Sequence, residues 1–311
     1  MAEKDWIRRY FAPLARSSGA AGLRDDTAEL SFGASRLIIT TDAMAEGVHF
    51  FSDDPIESVA KKLVRVNVSD VLATGARPRE ALLTLGWPQD GRDEVQLAAF
   101  AAALGEELAA WGIALIGGDT VTSPGGLFLS LTLTGDCLGA APIRRSGAQA
   151  GDDIWLTGEI GAARRGYLWK TEGQGAAHWL EYLQAPQLPP IESAALLAHQ
   201  ASAAMDVSDG LLGDLATLAG ASGLAAEIGL DHVPFAGGAA TLEEALDLAS
   251  WGDDYQLLFA AGPEKAAAIQ GSGQAVTRIG TLREGAGLVA TYGGKLVNLP
   301  ERLAFEHARL S

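Results

Sequence analysis

Leu37-Ile-Ile-Thr-Thr-Asp42 is typical of a buried strand whose β-branched residues lead to a carboxylate. A helix is expected from Pro55, because proline suits a first helical turn and apolar residues recur at helical spacing from Val59 to Val66. The same apolar stripe, continued by four residues, reaches Asp70. Charge on an inward helix face is costly unless it is paired or bound to a metal. This strand and helix therefore predict both an α/β fold and a site inside it.

The alternation of helix and strand continues through the first half of the chain. An alanine-rich helix is expected over 93–111, followed by an apolar strand at 113–116 that ends directly before Gly117-Gly-Asp-Thr120. Leucines alternate with polar or aromatic residues over 127–134, which predicts a further strand. A turn-rich stretch then separates an N-terminal domain, 1–138, from a C-terminal domain, 148–311.

The second half repeats the pattern with new polar turns. A strand is expected at 154–157, and Met205-Asp-Val-Ser-Asp-Gly-Leu-Leu-Gly-Asp-Leu215 is typical of a strand that turns into a helix, with Ser208 as the expected N-cap. Trp251-Gly-Asp-Asp-Tyr255 precedes a strand at 256–260, and Gly293-Gly294 predicts a hairpin. The expected fold class is therefore α/β (α+β), with mixed sheets flanked by helices.

Composition excludes several classes of protein. The 311 residues, 48% of them hydrophobic, can form one large core or two ordinary ones. A net charge of -16 argues against nonspecific binding to nucleic acid or to anionic membranes, and the apolar runs are far shorter than the ~20 residues of a membrane span. The first residues have no apolar signal region, which predicts a cytoplasmic location, and Cys137 alone forms neither an internal disulfide nor a thiolate zinc site.

Aspartates recur at positions where a solvated surface charge is not expected. Each lies at a predicted strand end, on an inward helix face or in a glycine-flanked turn: Asp26, Asp42, Asp70, Asp119, Asp206 and Asp209. If they converge, each close pair repels by roughly 4 kcal/mol at 4 Å and an effective dielectric of about 20, and only cations could hold them together. All-oxygen clusters favour Mg²⁺, which bridges carboxylates to substrate phosphates. The alternative is that each aspartate caps a helix or lies in a solvated turn.

The sequence has no Walker, Rossmann or protein-kinase phosphate loop, so metal ions would have to hold the phosphates of any nucleotide. His49 and Arg145 are candidate contacts for an anionic substrate. A hydrogen-bonded structural histidine and a charge in a surface linker are the alternatives for these two residues.

Taken in order, the motifs resemble the thiamine-monophosphate kinase family, part of a superfamily with aminoimidazole ribonucleotide synthetase and selenophosphate synthetase. The matching motifs extend from about residue 20 to residue 260: Asp25-Asp26, Thr40-Thr-Asp42, Glu46-Gly-Val-His49, Val66-Asn-Val-Ser-Asp70, Gly75-Ala-Arg-Pro78, Gly117-Gly-Asp-Thr120, Arg145-Ser-Gly147, Asp206-Val-Ser-Asp-Gly-Leu211 and Gly252-Asp-Asp-Tyr255.

The resemblance implies ATP-dependent phosphorylation of thiamine monophosphate to thiamine diphosphate by direct in-line transfer, with several Mg²⁺ ions and ATP as co-substrate. The implied metal ligands are Asp26, Thr40, Thr41, Asp42, Asp70, Asp119, Asp206 and Asp209. The implied ATP contacts are Gly118, Asp119, Arg145 and Ser208, and the implied contacts to thiamine monophosphate are His49, Asp253 and Phe305.

The resemblance also implies a homodimer formed through the N-terminal domains, with the active site in the cleft between domains. The chain departs from the family pattern at Arg24, where the family has glycine, and at Trp251 and Asp253, where it has glycine and glutamate. Two alternatives stay open: another ATP-dependent synthetase of this superfamily, and a catalytically silent, metal-binding dimeric scaffold.

Overall fold

The computed structural model describes residues 7–32, 35–89 and 91–305, so residues 1–6 and 306–311 of the two predicted domains lie outside the described part. The first half contains β1 (Ala28–Phe32), β2 (Ser35–Ala45), α1 (Ile56–Ala73), β3 (Ala76–Pro88), α2 (Glu94–Ala110), β4 (Ala114–Ser123) and β5 (Phe128–Cys137). Short helical turns precede it at Ile7–Phe11, Ala12–Leu14 and Ser18–Ala20.

The second half begins with β6 (Asp153–Thr157) and continues with α3 (Ala162–Glu172), α4 (Leu180–Gln184), α5 (Glu192–Gln200), β7 (Ala203–Asp206), α6 (Leu211–Ala221) and β8 (Leu224–Gly229). It ends with α7 (Leu242–Ala249), β9 (Leu257–Ala261), α8 (Ala266–Gln270), β10 (Val276–Glu284), β11 (Gly287–Tyr292) and β12 (Lys295–Val297). Single turns of 3₁₀-helix occur at Ala177–Trp179, Leu230–His232 and Pro263–Lys265.

Each half is organised around a mixed sheet. The first sheet has the order β1-β2-β5-β3-β4, in which β3 and β4 are parallel and the other neighbours antiparallel. The second has the order β12-β11-β8-β10-β6-β9-β7, in which β8 and β11 are parallel. The predicted α/β class with mixed sheets flanked by helices is therefore confirmed.

Helix α1 lies at the junction of the two halves and covers one face of the first sheet. Its stripe from Val59 to Val66 is buried with Leu131 of β5, as the helical spacing predicts. The same hydrophobic core includes Trp155 and Phe259 of the second sheet. The inward end of α1 is therefore surrounded by elements of both halves, which places Asp70 near the centre of the molecule.

The structure corrects three local expectations. Strand β4 continues through Gly117-Gly-Asp-Thr120 to Ser123, because these residues pair in parallel with β3 instead of forming a turn. Strand β2 likewise continues past Asp42 to Ala45. Ser208 is not the N-cap of α6; Gly210 occupies that position, and the Asp214 carboxylate accepts hydrogen bonds from the Asp209 and Gly210 N–H groups.

Within the described residues, no helix combines the length and apolar character needed to cross a membrane.

Candidate active site

Three buried carboxylates from distant parts of the chain converge beside the inward end of α1. Asp26, Asp70 and Asp206 each place an oxygen within 4.8 Å of the others. Asp26 precedes β1, Asp70 lies on α1 and Asp206 ends β7, so the cluster joins both halves. This arrangement of carboxylate oxygens fits a divalent cation with a preference for oxygen ligands.

Hydroxyl groups hold two of these carboxylates in place. The Thr40 hydroxyl on β2 donates to Asp70 Oδ2 at 2.6 Å, and the Ser69 hydroxyl donates to Asp206 Oδ2 at 2.7 Å. Ser69 is fully buried on the same helix as Asp70. The sequence analysis did not identify this hydrogen bond, although Ser69 lies within the motif Val66-Asn-Val-Ser-Asp70.

Burial and mutual repulsion raise the pKa values of the clustered acids. The pKa of Asp42 rises to about 6, mainly through burial and then through the charges of Asp26 and Asp209. Burial, followed by the charges of neighbouring aspartates, raises the pKa of Asp70 and of Asp206 well above the ordinary value. Burial and repulsion therefore disfavour the ionised carboxylates, and a bound cation would favour them.

Arg145 is the nearest cationic partner of the cluster. Its guanidinium donates through Nε to Asp26 Oδ1 at 3.0 Å and also through a terminal nitrogen to the same oxygen. Its backbone N–H donates to Asp25 Oδ1 at 3.0 Å, and Arg144 pairs with the other oxygen of Asp25 at 2.8 Å. The segment before the second half is therefore fastened to the Asp25-Asp26 pair.

A cavity of about 620 Å³ opens from the carboxylate cluster between the two halves. It is lined by most of the residues singled out in the sequence: Asp26, Thr40, Thr41, Asp42, His49, Asp70, Arg145, Asp206, Ser208, Asp209, Asp253 and Phe305. The structure therefore brings these residues to one cleft, where a substrate and a nucleotide phosphate can lie side by side.

One wall of the cavity is aromatic. Trp251 lies 4.6 Å from Tyr167 and 6.2 Å from Phe305, measured between ring centroids, and the Arg164 guanidinium lies 4.3 Å from the Trp251 ring centroid. The Phe305 N–H donates to the Asp209 carbonyl at 2.8 Å, which fixes the C-terminal segment against the site. Sequence reasoning missed Tyr167, which carries no motif and reaches the cavity from α3.

The segment Gly252–Tyr255 forms another part of the cavity wall, beside the loop that follows Asp206. Asp253 and Tyr255 have φ angles of +69° and +51°, and backbone bonds to Ser208 and Val207 hold them. Gly252 is required there, because a Cβ atom would lie 2.1 Å from the Ser208 carbonyl oxygen. The Tyr255 hydroxyl donates to Asp253 Oδ1 at 3.3 Å. This segment therefore presents Asp253 in a fixed, locally strained backbone.

Comparison with known proteins agrees with the geometry. Residues 24–137 match the AIR synthase related protein N-terminal domain, and residues 149–293 match the corresponding C-terminal domain. The chain is 37% identical to the thiamine-monophosphate kinase of Caulobacter vibrioides, over 98% of this chain and 90% of that protein. It is 33% identical to the thiamine-monophosphate kinase of Leptospira interrogans, over 87% and 89%.

The chain belongs to the thiamine-monophosphate kinase family. A solved structure of AaThiL complexed with AMPPCP and TMP has a TM-score of 0.84 and 28% identity, covering 99% of this chain and 97% of that one. The resemblance read from the sequence motifs is therefore confirmed.

Two residues that the family resemblance assigns to the site lie elsewhere in this chain. Gly118 and Asp119 are exposed residues of β4, outside the lining of the cavity. In the register of the sheet, Asp119 lies opposite Thr84 of β3, and Thr84 lies opposite Ser130 of β5. Ser130 in turn has its hydroxyl 3.2 Å from that of Thr41. Asp119 therefore lies on the open face of the first sheet, whereas Asp70 lies on the helix side.

A structural reason for Gly118 is nevertheless clear. Its φ angle is +152°, and a Cβ atom there would lie 1.9 Å from the Leu83 carbonyl oxygen. Glycine allows β4 to pair closely with β3 at this position. The Thr41 hydroxyl shares the open face with Ser130 and Thr132, so of the two adjacent threonines Thr40 alone bonds Asp70 among the described contacts.

Proposed function

We propose that this member of the thiamine-monophosphate kinase family transfers the γ-phosphoryl group of ATP to thiamine monophosphate, forming thiamine diphosphate and ADP. The observation that carries the proposal is the convergence of Asp26, Asp70 and Asp206 beside a cavity that also has an aromatic wall. The printed descriptions of its relatives support the choice of substrates.

The transfer needs no general base. A phosphate oxygen of thiamine monophosphate attacks the γ-phosphorus of ATP, the bond from that phosphorus to the β–γ bridging oxygen breaks, and ADP leaves with the electron pair. The attacking oxygen is already anionic at neutral pH, so catalysis consists of positioning and charge neutralisation. Arg145 and Ser208 are proposed to contact ATP, with His49 and Asp253 contacting the acceptor.

The donor set fits Mg²⁺. Asp26, Thr40, Asp42, Asp70, Asp206 and Asp209 offer carboxylate and hydroxyl oxygens at the same end of the cavity. These residues would hold Mg²⁺, which would supply positive charge to offset the negative charge that develops during transfer.

The aromatic wall suits the other end of the acceptor. Trp251, Tyr167 and Phe305 line the cavity and pack against one another. Flat, positively charged heterocycles such as the thiazolium of thiamine are attracted to aromatic rings by stacking and cation–π interactions. The acceptor is therefore proposed to lie with its ring at this wall and its phosphate toward the carboxylates.

The proposal includes a homodimer, a cytoplasmic location and a division of labour between the domains 1–138 and 148–311. The uncovered edge of the first sheet supports the dimer, because its edge strand β4 exposes large apolar side chains, including Leu115, Ile116 and Val121. In such a dimer Gly118 and Asp119 would lie close to the interface between two copies.

The decisive experiment incubates the purified chain with ATP, MgCl₂ and thiamine monophosphate and separates the products by chromatography. Thiamine diphosphate should form and should disappear with EDTA. Thiamine, which has no phosphate, is the matched acceptor control. It should give no diphosphate, because it lacks the phosphate oxygen that attacks ATP. Binding of ATP without product would favour another synthetase reaction, and neither binding nor product would favour the silent scaffold.

A further inference from the structure

Lys62 is a buried charge at the cavity that the proposed transfer does not use. It lies in the middle of α1, three residues after Val59 and four before Val66, and therefore on the inward stripe of the helix. Its side chain is 3% exposed. A buried ammonium group is costly unless it is paired and hydrogen-bonded, so its partners define its role.

The partners of Lys62 are the two residues proposed to contact the acceptor. Its Nζ atom donates to Asp253 Oδ2 at 2.9 Å and to the His49 carbonyl oxygen at 2.9 Å. His49 belongs to the first half of the chain and Asp253 to the second. One ammonium group on α1 therefore ties together the two sides of the proposed acceptor site.

The side chains of Asp253 and Lys62 differ in exposure. The Asp253 side chain is 32% exposed and the Lys62 side chain 3%. Both side chains line the cavity, and the carboxylate is the more accessible of the two. Tyr255 holds the other carboxylate oxygen, so both oxygens of Asp253 have a donor within the protein. Asp253 is one methylene shorter than the family glutamate. Its short side chain and these two hydrogen bonds restrict the rotation of the carboxylate.

We propose that Lys62 is a positioning residue for the acceptor. It fixes the Asp253 carboxylate and the His49 backbone so that thiamine monophosphate meets a preformed contact. The inference rests on the proposed function and adds to it a residue that acts through Asp253.

The test compares Lys62→Met, Asp253→Asn and the double variant with the unaltered chain. Steady-state kinetics measure the KM values for thiamine monophosphate and for ATP. Lys62→Met should raise the KM for thiamine monophosphate about tenfold to a hundredfold, as expected for a displaced substrate contact. The KM for ATP should stay unchanged. The double variant should be no worse than the more affected single variant, because both changes remove the same contact.

Lys61→Met is the matched control, since it makes the same chemical change one residue away, at a position that is only partly buried. It should leave both KM values unchanged. Lys62→Arg keeps the charge but shifts the donors, and it should give an intermediate KM for thiamine monophosphate. This variant decides the question if circular dichroism shows that Lys62→Met does not fold.

An unchanged KM for thiamine monophosphate in Lys62→Met or Lys62→Arg would overturn the inference. Multiplied effects in the double variant would also overturn it, because they would mean that Lys62 acts independently of Asp253. Equal rises in both KM values would indicate a merely structural role. Failure of the proposed function is distinguishable, because the unaltered chain and Lys61→Met would then form no thiamine diphosphate.

Discussion

At the scale of single residues, the site concentrates negative charge where the protein gains nothing from it in stability. Asp26, Asp70 and Asp206 are held within 4.8 Å of one another, and burial raises the pKa of each. Arg145 offsets part of this charge at Asp26. Such an arrangement is typical of binding sites, where stability is given up for affinity toward a ligand.

Asp70→Asn tests this exchange of stability for function. The substitution removes an ionisable group that is buried among other acids. Without metal, the free energy of unfolding should therefore be about 1 kcal/mol higher for the variant than for the unaltered chain. Turnover should fall about a hundredfold or more, because a ligand of the proposed cations is lost. Urea unfolding in EDTA and the thiamine diphosphate assay measure the two effects. Asp231→Asn, an exposed control outside the cavity lining, should change neither, and full activity in Asp70→Asn would contradict the cluster's role.

Asp254 predicts a pH dependence of stability that is separate from the carboxylate cluster. Its buried carboxylate accepts hydrogen bonds from the Gly161 and Ala163 N–H groups at the start of α3. Burial nevertheless raises its pKa to about 7 from 3.8. The folded state therefore binds a proton between pH 4 and 7 that the unfolded state does not, and stability from this group falls as the pH rises through that window.

Asp254→Asn should remove that dependence. The asparagine oxygen can still accept from the helix N–H groups but does not ionise. Between pH 4 and pH 8, the unfolding free energy of the unaltered chain should fall relative to that of the variant by up to about 4 kcal/mol. Urea titrations across this range provide the measurement, and the other buried acids cancel because both proteins contain them. A pH-independent difference would show that Asp254 titrates normally.

At the scale of elements, the segment from Gly47 to Asp54 fastens the first half to the helices of the second. Asp54 Oδ1 accepts hydrogen bonds from Lys170 of α3 at 3.3 Å and from Gln184 of α4 at 2.7 Å, and Oδ2 accepts from the Phe51 N–H at 2.8 Å. The same segment supplies His49 and Phe51 to the cavity. These hydrogen bonds fix the position of one wall of the site relative to the other.

Asp54→Ala should weaken these contacts between the two halves. The unfolding free energy should fall by about 2 kcal/mol, because three partly buried donors lose their buried acceptor. The KM for thiamine monophosphate should rise, because the His49 segment loses these contacts. Asp53→Ala is the matched control, since Asp53 also pairs with Lys170, at 2.8 Å, but its side chain is 73% exposed. It should alter neither property measurably. Equal effects of the two substitutions would contradict a role for the buried contacts.

At the scale of the whole molecule, the two faces of the first sheet differ. One face is buried beneath α1, whereas the other is open and bordered by β4, an edge strand with exposed apolar side chains. Uncovered apolar edge strands promote association between chains. The proposed homodimer would cover this face and bring Asp119 of each chain into the interface.

Ile116→Asp should disrupt the dimer. Ile116 is 59% exposed on β4, and a carboxylate there would lose its hydration in an apolar interface. Light scattering should give the mass of one chain, 32.3 kDa, instead of two, and activity should fall with it. Leu296→Asp is the control, because Leu296 is 79% exposed on β12 of the other sheet. A dimer that survives Ile116→Asp would exclude this face.

Local patterns in the sequence were sufficient for the α/β class, for the inward position of Asp70 on α1 and for the family. Strand and helix periodicities are properties of neighbouring residues, and the motifs recur in order along the chain, so neither depends on long-range contacts. The same reasoning failed at Gly117-Gly-Asp-Thr120. A pair of glycines is typical of a turn, and only pairing with β3 makes this segment a strand.

The tertiary structure alone decided which residues share the site. It joined Lys62 to Asp253 and Ser69 to Asp206, contacts between residues more than a hundred positions apart that no spacing in the sequence encodes. It also separated Asp119 from Asp70, although both carry the same chemistry, because they lie on opposite sides of one sheet. Residue type and local period determine what a side chain can do, whereas the packing of the two halves determines which side chains it meets.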